Sequence, residues 1–134
     1  MASNIVFRHT DRASHYTLQV KSEPRPTAGL NEVLIQVRGV TLNYRDTIVA
    51  NNTYPFPVKD NVVPCSDGAG VVVELGTGVD SLEVGDRVIS NFDVSNLYGP
   101  QSDALHLAVL LTVCCASTSC YRHKLFRKCQ RTAT

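Results

Sequence analysis

Between Asn61 and Ile89 the chain reads NVVPCSDGAGVVVELGTGVDSLEVGDRVI, and this stretch constrains the fold more than any other. Gly68, Gly70, Gly76, Gly78 and Gly85 stand where short apolar runs start or stop. Glycine adopts positive φ at almost no steric cost, so glycines flanking β-branched runs mark sharp reversals between strands. The spacing predicts a turn at Gly68-Ala69-Gly70, a strand through Val71-Val72-Val73 and a stop at Gly76-Thr77-Gly78. Gly85-Asp86 predicts a tight turn just ahead of a further strand, Arg87-Val88-Ile89. A mainly β chain follows, built on an antiparallel sheet with corners.

The residues before this stretch share the same period. Tyr16 to Lys21 alternates strictly, which predicts a half-buried strand with Tyr16, Leu18 and Val20 inward, ended by Pro24 and Pro26. Glu32 to Arg38 predicts another, with Val33, Ile35 and Val37 inward and a bulge or bend at Gly39. From Thr41 the spacing of Leu42, Ile48 and Val49 turns helical. A short helix is therefore predicted over Tyr44 to Ala50, with Asn43 able to cap it. Residues 51 to 64, with an Asn-Asn pair and three prolines, read as loop.

A length of 134 residues suits one domain with a core. The charged fraction of 19% and apolar fraction of 43% fit a globular chain. A net charge of +1 argues against a nucleic-acid binder, which needs a concentrated basic face. Met1 to Thr10 holds no apolar signal-like run, and the longest apolar block, Leu105 to Val113, falls short of the ~20 residues of a membrane span. These features lead to the expectation of a cytoplasmic, membrane-free protein with reduced thiols. His9 and His15 lack neighbouring acids or thiols and are expected at the surface.

Three segments, NEVLIQVRGVTLNYRD, PCSDGAGVVVELG and VDSLEVGDRVISNFD, in this order and spacing, resemble the GroES-like N-terminal catalytic domain of the medium-chain alcohol dehydrogenase and quinone oxidoreductase superfamily. The resemblance covers about residues 3 to 101 and implies a partly open GroES-like β-barrel with a short helix, incomplete at its C-terminal end. Zinc-dependent members place a cysteine where this chain has Asn43, and a histidine and a glutamate at Ser66 and Asp67. Catalytic zinc wants about three Cys, His or carboxylate ligands. Asn43 and Ser66 are poor ones, and Asp67 with the neighbouring Cys65 does not complete a set, so no zinc is expected.

The zinc-free quinone oxidoreductase branch is the closer match. By that resemblance Asn43 and Tyr44 would lie beside the nicotinamide of NADP and the substrate, with the Tyr44 phenol donating toward a developing oxyanion. Asp46 and Cys65 would line the substrate side, Asp46 with Arg45 orienting the loop. Each residue has a plainer reading. Asn43 can be a helix cap, Tyr44 an aromatic at a sheet edge, Cys65 a small buried hydrophobe and Asp67 a turn residue.

Beyond Gln101 the sequence changes character. Residues 1 to 101 carry 8 Lys and Arg against 11 Asp and Glu, whereas residues 102 to 134 carry 5 against 1, and glycine is absent after Gly99. Cys114, Cys115, Cys120 and Cys129, with His123, lack paired knuckle spacing and do not suggest a metal site. The expectation is a divergent tail over 102–134, arising from an intron or frameshift, without strands able to pair in register. The glycine-rich fingerprint that opens a helix after a strand and holds a cofactor pyrophosphate is missing.

The chain is therefore expected to be a truncated relative of an NADP-dependent, zinc-independent oxidoreductase, inactive alone and binding no cofactor itself. Intact relatives would pass hydride to an activated alkene, a quinone or a carbonyl of a small-molecule substrate. The alternatives are a non-catalytic module pairing with a full-length relative and, more remotely, a co-chaperonin. An unpaired sheet edge is expected to favour self-association.

Overall fold

The structure, a computed structural model, describes residues 3–11, 17–90, 118–122 and 126–128. In chain order these form β1 (Ser3–Asp11), β2 (Thr17–Pro24), β3 (Glu32–Thr41), α1 (Tyr44–Ala50), β4 (Asp67–Leu75), β5 (Arg87–Ser90), β6 (Thr118–Arg122) and β7 (Phe126–Lys128). The first two make an antiparallel ribbon, and the rest form a five-stranded sheet in the order β6-β3-β4-β5-β7. Every pairing among them is antiparallel.

The core forms where the β-branched alternation of β3, β4 and β5 points to one side. Val33, Ile35, Val72, Leu82 and Val88 pack together, with Leu75 and Val79 against them. The predicted bulge is present: the β3–β4 register shifts between Val37 and Gly39, and again between Leu34 and Ile35. The turn between β4 and β5 closes as its sequence predicts. Gly85 takes φ of 96°, a conformation that disfavours side chains, while the Asp86 carboxylate accepts from the Glu83 N–H at 3.0 Å.

Gly68, Ala69 and Gly70 differ from the prediction, because they lie inside β4 and not in a turn. At Gly70 the reason is close approach. A Cβ there would overlap the Gln36 carbonyl oxygen and sit 2.6 Å from Ile35 Cγ2, so glycine lets β3 and β4 meet.

The ribbon also departs from expectation. Leu18 and Val20, predicted inward, are exposed, and Phe7, directly opposite Val20, is on the same open face. Alternation shows that two faces differ, but only a covering layer makes one of them a core. Here the buried residues of the ribbon come from β1: Asn4, Val6 and His9. Tyr16 falls outside the described residues. His9 is buried and not at the surface, since its N–H donates to the Val62 carbonyl at 2.9 Å and holds β1 against the segment before β4.

Residues 102–134 were expected to offer no strand in register, and this is corrected. Thr118–Arg122 pairs with β3 from Gln36 to Glu32, and Phe126–Lys128 pairs with β5 from Ser90 to Val88. Edge strands need only backbone N–H and C=O groups to pair, so an apolar pattern is not required of them. The two strands lie at opposite edges of the sheet. A flat sheet would put those edges ~19 Å apart, four strand spacings, whereas the four chain steps from Arg122 to Phe126 reach at most ~15 Å. The sheet must therefore curl, its offset along the strands taken up as shear, into a partly open barrel. Leu105 to Val113, and Cys114, Cys115 and Cys129, lie outside the described residues.

Candidate functional site

The chain leaves β3 at Thr41 and turns at once into α1, a seven-residue helix. Asn43 is its N-cap residue, extended at φ −120° and ψ 161°. Asp46 reaches back so that its Oδ2 accepts from the Asn43 N–H at 2.8 Å, and its own N–H donates to the Asn43 carbonyl at 2.9 Å. An acidic side chain in the first turn also suits the positive end of the helix. Tyr44, the first helical residue, is 79% exposed, which leaves its phenol open to a ligand.

Across from this helix start lies the segment Val62 to Asp67. Val62, Val63, Pro64 and Cys65 are buried, and the chain reverses at Cys65 with φ of 69°. Such a backbone costs a non-glycine residue roughly 1–2 kcal/mol. Three side chains hold the reversal in place. The other Asp46 oxygen, Oδ1, accepts from the Cys65 N–H at 3.0 Å. Asn43 Nδ2 donates to Asp67 Oδ2 at 2.5 Å. Ser90, at the end of β5, accepts from the Gly68 N–H at 2.9 Å and donates to the Ser66 carbonyl at 3.2 Å.

The structure thus brings together Asn43, Tyr44, Asp46, Cys65 and Asp67, which the sequence had singled out. It adds Ser90, whose only sequence signal was its place just after a predicted strand. Cys65 is fully buried, and it is the backbone N–H that meets Asp46. Asn43 does stand at the helix cap. Asp67 opens β4, and its carboxylate is directed to Asn43.

A catalytic zinc does not fit this donor set. Asn43 turns an N–H donor toward Asp67, whereas a metal needs lone pairs converging on one point. Among the described residues no three of His, Cys, Asp and Glu come together as a ligand set. For a nicotinamide cofactor the fit is partial. Tyr44 is exposed beside Asn43, but all described strand pairs are antiparallel, so these residues include no βαβ unit to hold a pyrophosphate.

The alcohol dehydrogenase GroES-like domain matches residues 29–124. The chain belongs to this family. Its match takes in β3 through β6, and so runs past residue 101 into the segment that carries β6. A zinc-type alcohol dehydrogenase-like protein of Schizosaccharomyces pombe is 43% identical over 79 residues, which is 58% of this GroES-like chain and 23% of that protein. An alcohol dehydrogenase structure from Sinorhizobium meliloti superposes with a TM-score of 0.84 at 24% identity, covering 100% of this chain and 41% of that one. A mycobacterial protein solved with NADPH gives a TM-score of 0.66 at 23% identity, over 98% of this chain and 34% of that one. The GroES-like chain thus spans less than half the length of each, and at such identities the two structures speak for fold alone. Among its described residues no helix is long and apolar enough to cross a membrane.

Proposed function

We propose that this chain forms one wall of an oxidoreductase site, of the zinc-independent kind, in which a nicotinamide cofactor delivers hydride to an activated alkene, a quinone or a carbonyl of a small molecule. The observation that carries the reading is the joining of the Asn43-Tyr44 helix start to the Cys65–Asp67 reversal by crossed hydrogen bonds, within a chain of this family. Such a joint gives a rigid polar ledge with an exposed phenol at its lip. Tyr44 would donate a proton or hydrogen bond to the oxygen that gains charge, and Asn43 would align the nicotinamide and substrate. Asp46 and Cys65 would shape the substrate side from behind, Asp46 through its two backbone contacts. NADP, when bound, supplies the hydride.

Hydride transfer needs the reacting atoms held ~3–3.5 Å apart, and the described residues provide only one of the two surfaces that would do so. The chain by itself is therefore proposed to be inactive and to hold no dinucleotide firmly. Self-association through the outer edges of β6 and β7 belongs to the same proposal.

The test is a titration of the ¹⁵N-labelled chain with nicotinamide mononucleotide at millimolar concentrations, followed by NMR. Shifts confined to Asn43, Tyr44 and their neighbours are expected. Absence of shifts, or shifts centred on the β1–β2 ribbon, would refute the assignment.

A further inference from the structure

Asp46 and Asp67 do different work from the residues that would meet substrate. They sit on opposite sides of the joint, one on α1 and one on β4, and each accepts a hydrogen bond from the other side. Asp46 takes the Cys65 N–H from the β4 side, while Asp67 takes the Asn43 amide from the α1 side. Asp46 also takes the Asn43 backbone N–H. Two carboxylates, acceptor-only when ionised, thus engage three N–H donors, two of them across the seam.

From this geometry we infer that Asp46 and Asp67 are a pair of positioning residues that set where Asn43 and Tyr44 stand. The inference rests on the proposed function, since it is at Asn43 and Tyr44 that substrate would be met. The chemistry also fixes the orientation of the Asn43 side chain. A carboxylate cannot donate, so the nitrogen and not the oxygen of the amide must face Asp67. With its backbone N–H bound to Asp46 and its side chain bound to Asp67, Asn43 cannot swing without breaking both contacts. Tyr44, the next residue, inherits that fixed position.

Each carboxylate controls a different set of atoms, which makes the pair testable without any turnover. In the ¹⁵N-labelled full chain, one Asn43 side-chain proton is expected downfield of free asparagine and slow to exchange. Asp67→Asn, which leaves only a neutral amide oxygen as acceptor, is expected to weaken that signature, and Asp67→Glu to restore part of it. Asp46→Asn is expected to move the backbone amides of Asn43 and Cys65 instead. Neither change is expected to shift Val33, Leu34 or Ile35, which belong to the core strand.

An unchanged Asn43 side chain in Asp67→Asn, or unchanged Asn43 and Cys65 amides in Asp46→Asn, would overturn the inference. If a variant fails to fold, the wild-type chain decides. Solvent-like exchange at the Asn43 side chain and the Cys65 N–H overturns the inference, and protection at both supports it. Because no ligand is present, this outcome is independent of the nicotinamide titration.

Discussion

The side-chain amide of Asn43 donates to the carboxylate of Asp67 across 24 positions of sequence, at 2.5 Å. The two residues stand where zinc-dependent relatives by resemblance hold metal ligands, and here they satisfy each other. Converting the pair to ligands would mean breaking that bond and offering an amide oxygen, a weak partner for zinc beside thiolate or imidazole. Purified protein is therefore expected to contain far less than one zinc per chain. Elemental analysis checks it, and about one zinc per chain, lost when Cys65 is replaced, would refute it.

Gly76 is predicted to be irreplaceable even by alanine. Its N–H donates to the Glu32 carbonyl at 2.8 Å, and next to it Asn31 donates to the Thr77 carbonyl at 2.8 Å. This double tie brings the backbones so close that a Cβ on Gly76 would overlap the Gly29 carbonyl oxygen and lie 2.9 Å from that of Glu32. Backbone on both sides leaves nothing soft to yield. Gly76→Ala is expected to cost about 1–3 kcal/mol, the usual range for forced overpacking, read as a lowered denaturation midpoint by circular dichroism. Gly39→Ala, where nothing lies within 4 Å, is the control and should change far less.

The ribbon is pinned to the body through Arg8. Its Nε and Nη2 meet the two oxygens of Glu23 at 2.5 and 2.9 Å, and its Nη1 donates to the Asn61 carbonyl at 2.7 Å. The hydrogen bond from Arg8 holds the Glu23 carboxyl below its ordinary value of 4.5. A depressed carboxyl contributes stability above its unfolded pKa and loses it as pH falls through the folded one. Glu23→Gln is therefore expected to lower the melting temperature at pH 6 and to converge on wild type as pH drops below about 4.5. Both side chains are partly exposed, so the effect should stay below about 1 kcal/mol. A gap between the two proteins that persists unchanged at pH 3 would contradict the pairing.

Local signals carried part of this architecture and long-range contacts carried the rest. The helix at Tyr44–Ala50 and the loop after it were readable because caps, prolines and paired asparagines act within a few residues. The Gly85 turn was readable for the same reason. Gly70 was misread because a glycine that admits a neighbouring backbone and a glycine that turns the chain look alike in sequence. The exposed face of Leu18 and Val20 was misread because burial depends on what covers a strand. At the site, the sequence singled out Asn43, Asp46, Cys65 and Asp67, but the joint that links them was not visible. Nothing in the segments around Asn43 and Asp67 announces that they touch, nor that Ser90 ties the Ser66–Gly68 backbone.

Strands β6 and β7 supply the most exacting prediction. They cover the edges of β3 and β5, and β3 contributes Val33 and Ile35 to the core while β5 contributes Val88. Ending the chain after residue 117 would uncover both edges at once, leaving rows of unpaired N–H and C=O groups beside the buried cluster. The shortened chain is expected to melt earlier, by several degrees for each kcal/mol lost in a domain of this size. It is also expected to associate at lower concentration than the full chain, because another chain's strand can take the vacated place. Light scattering over a concentration series, with thermal melts of both forms, measures this. Equal melting and equal scattering would mean that Thr118–Arg122 and Phe126–Lys128 add nothing to the sheet, and that the barrel is held by β3, β4 and β5 alone.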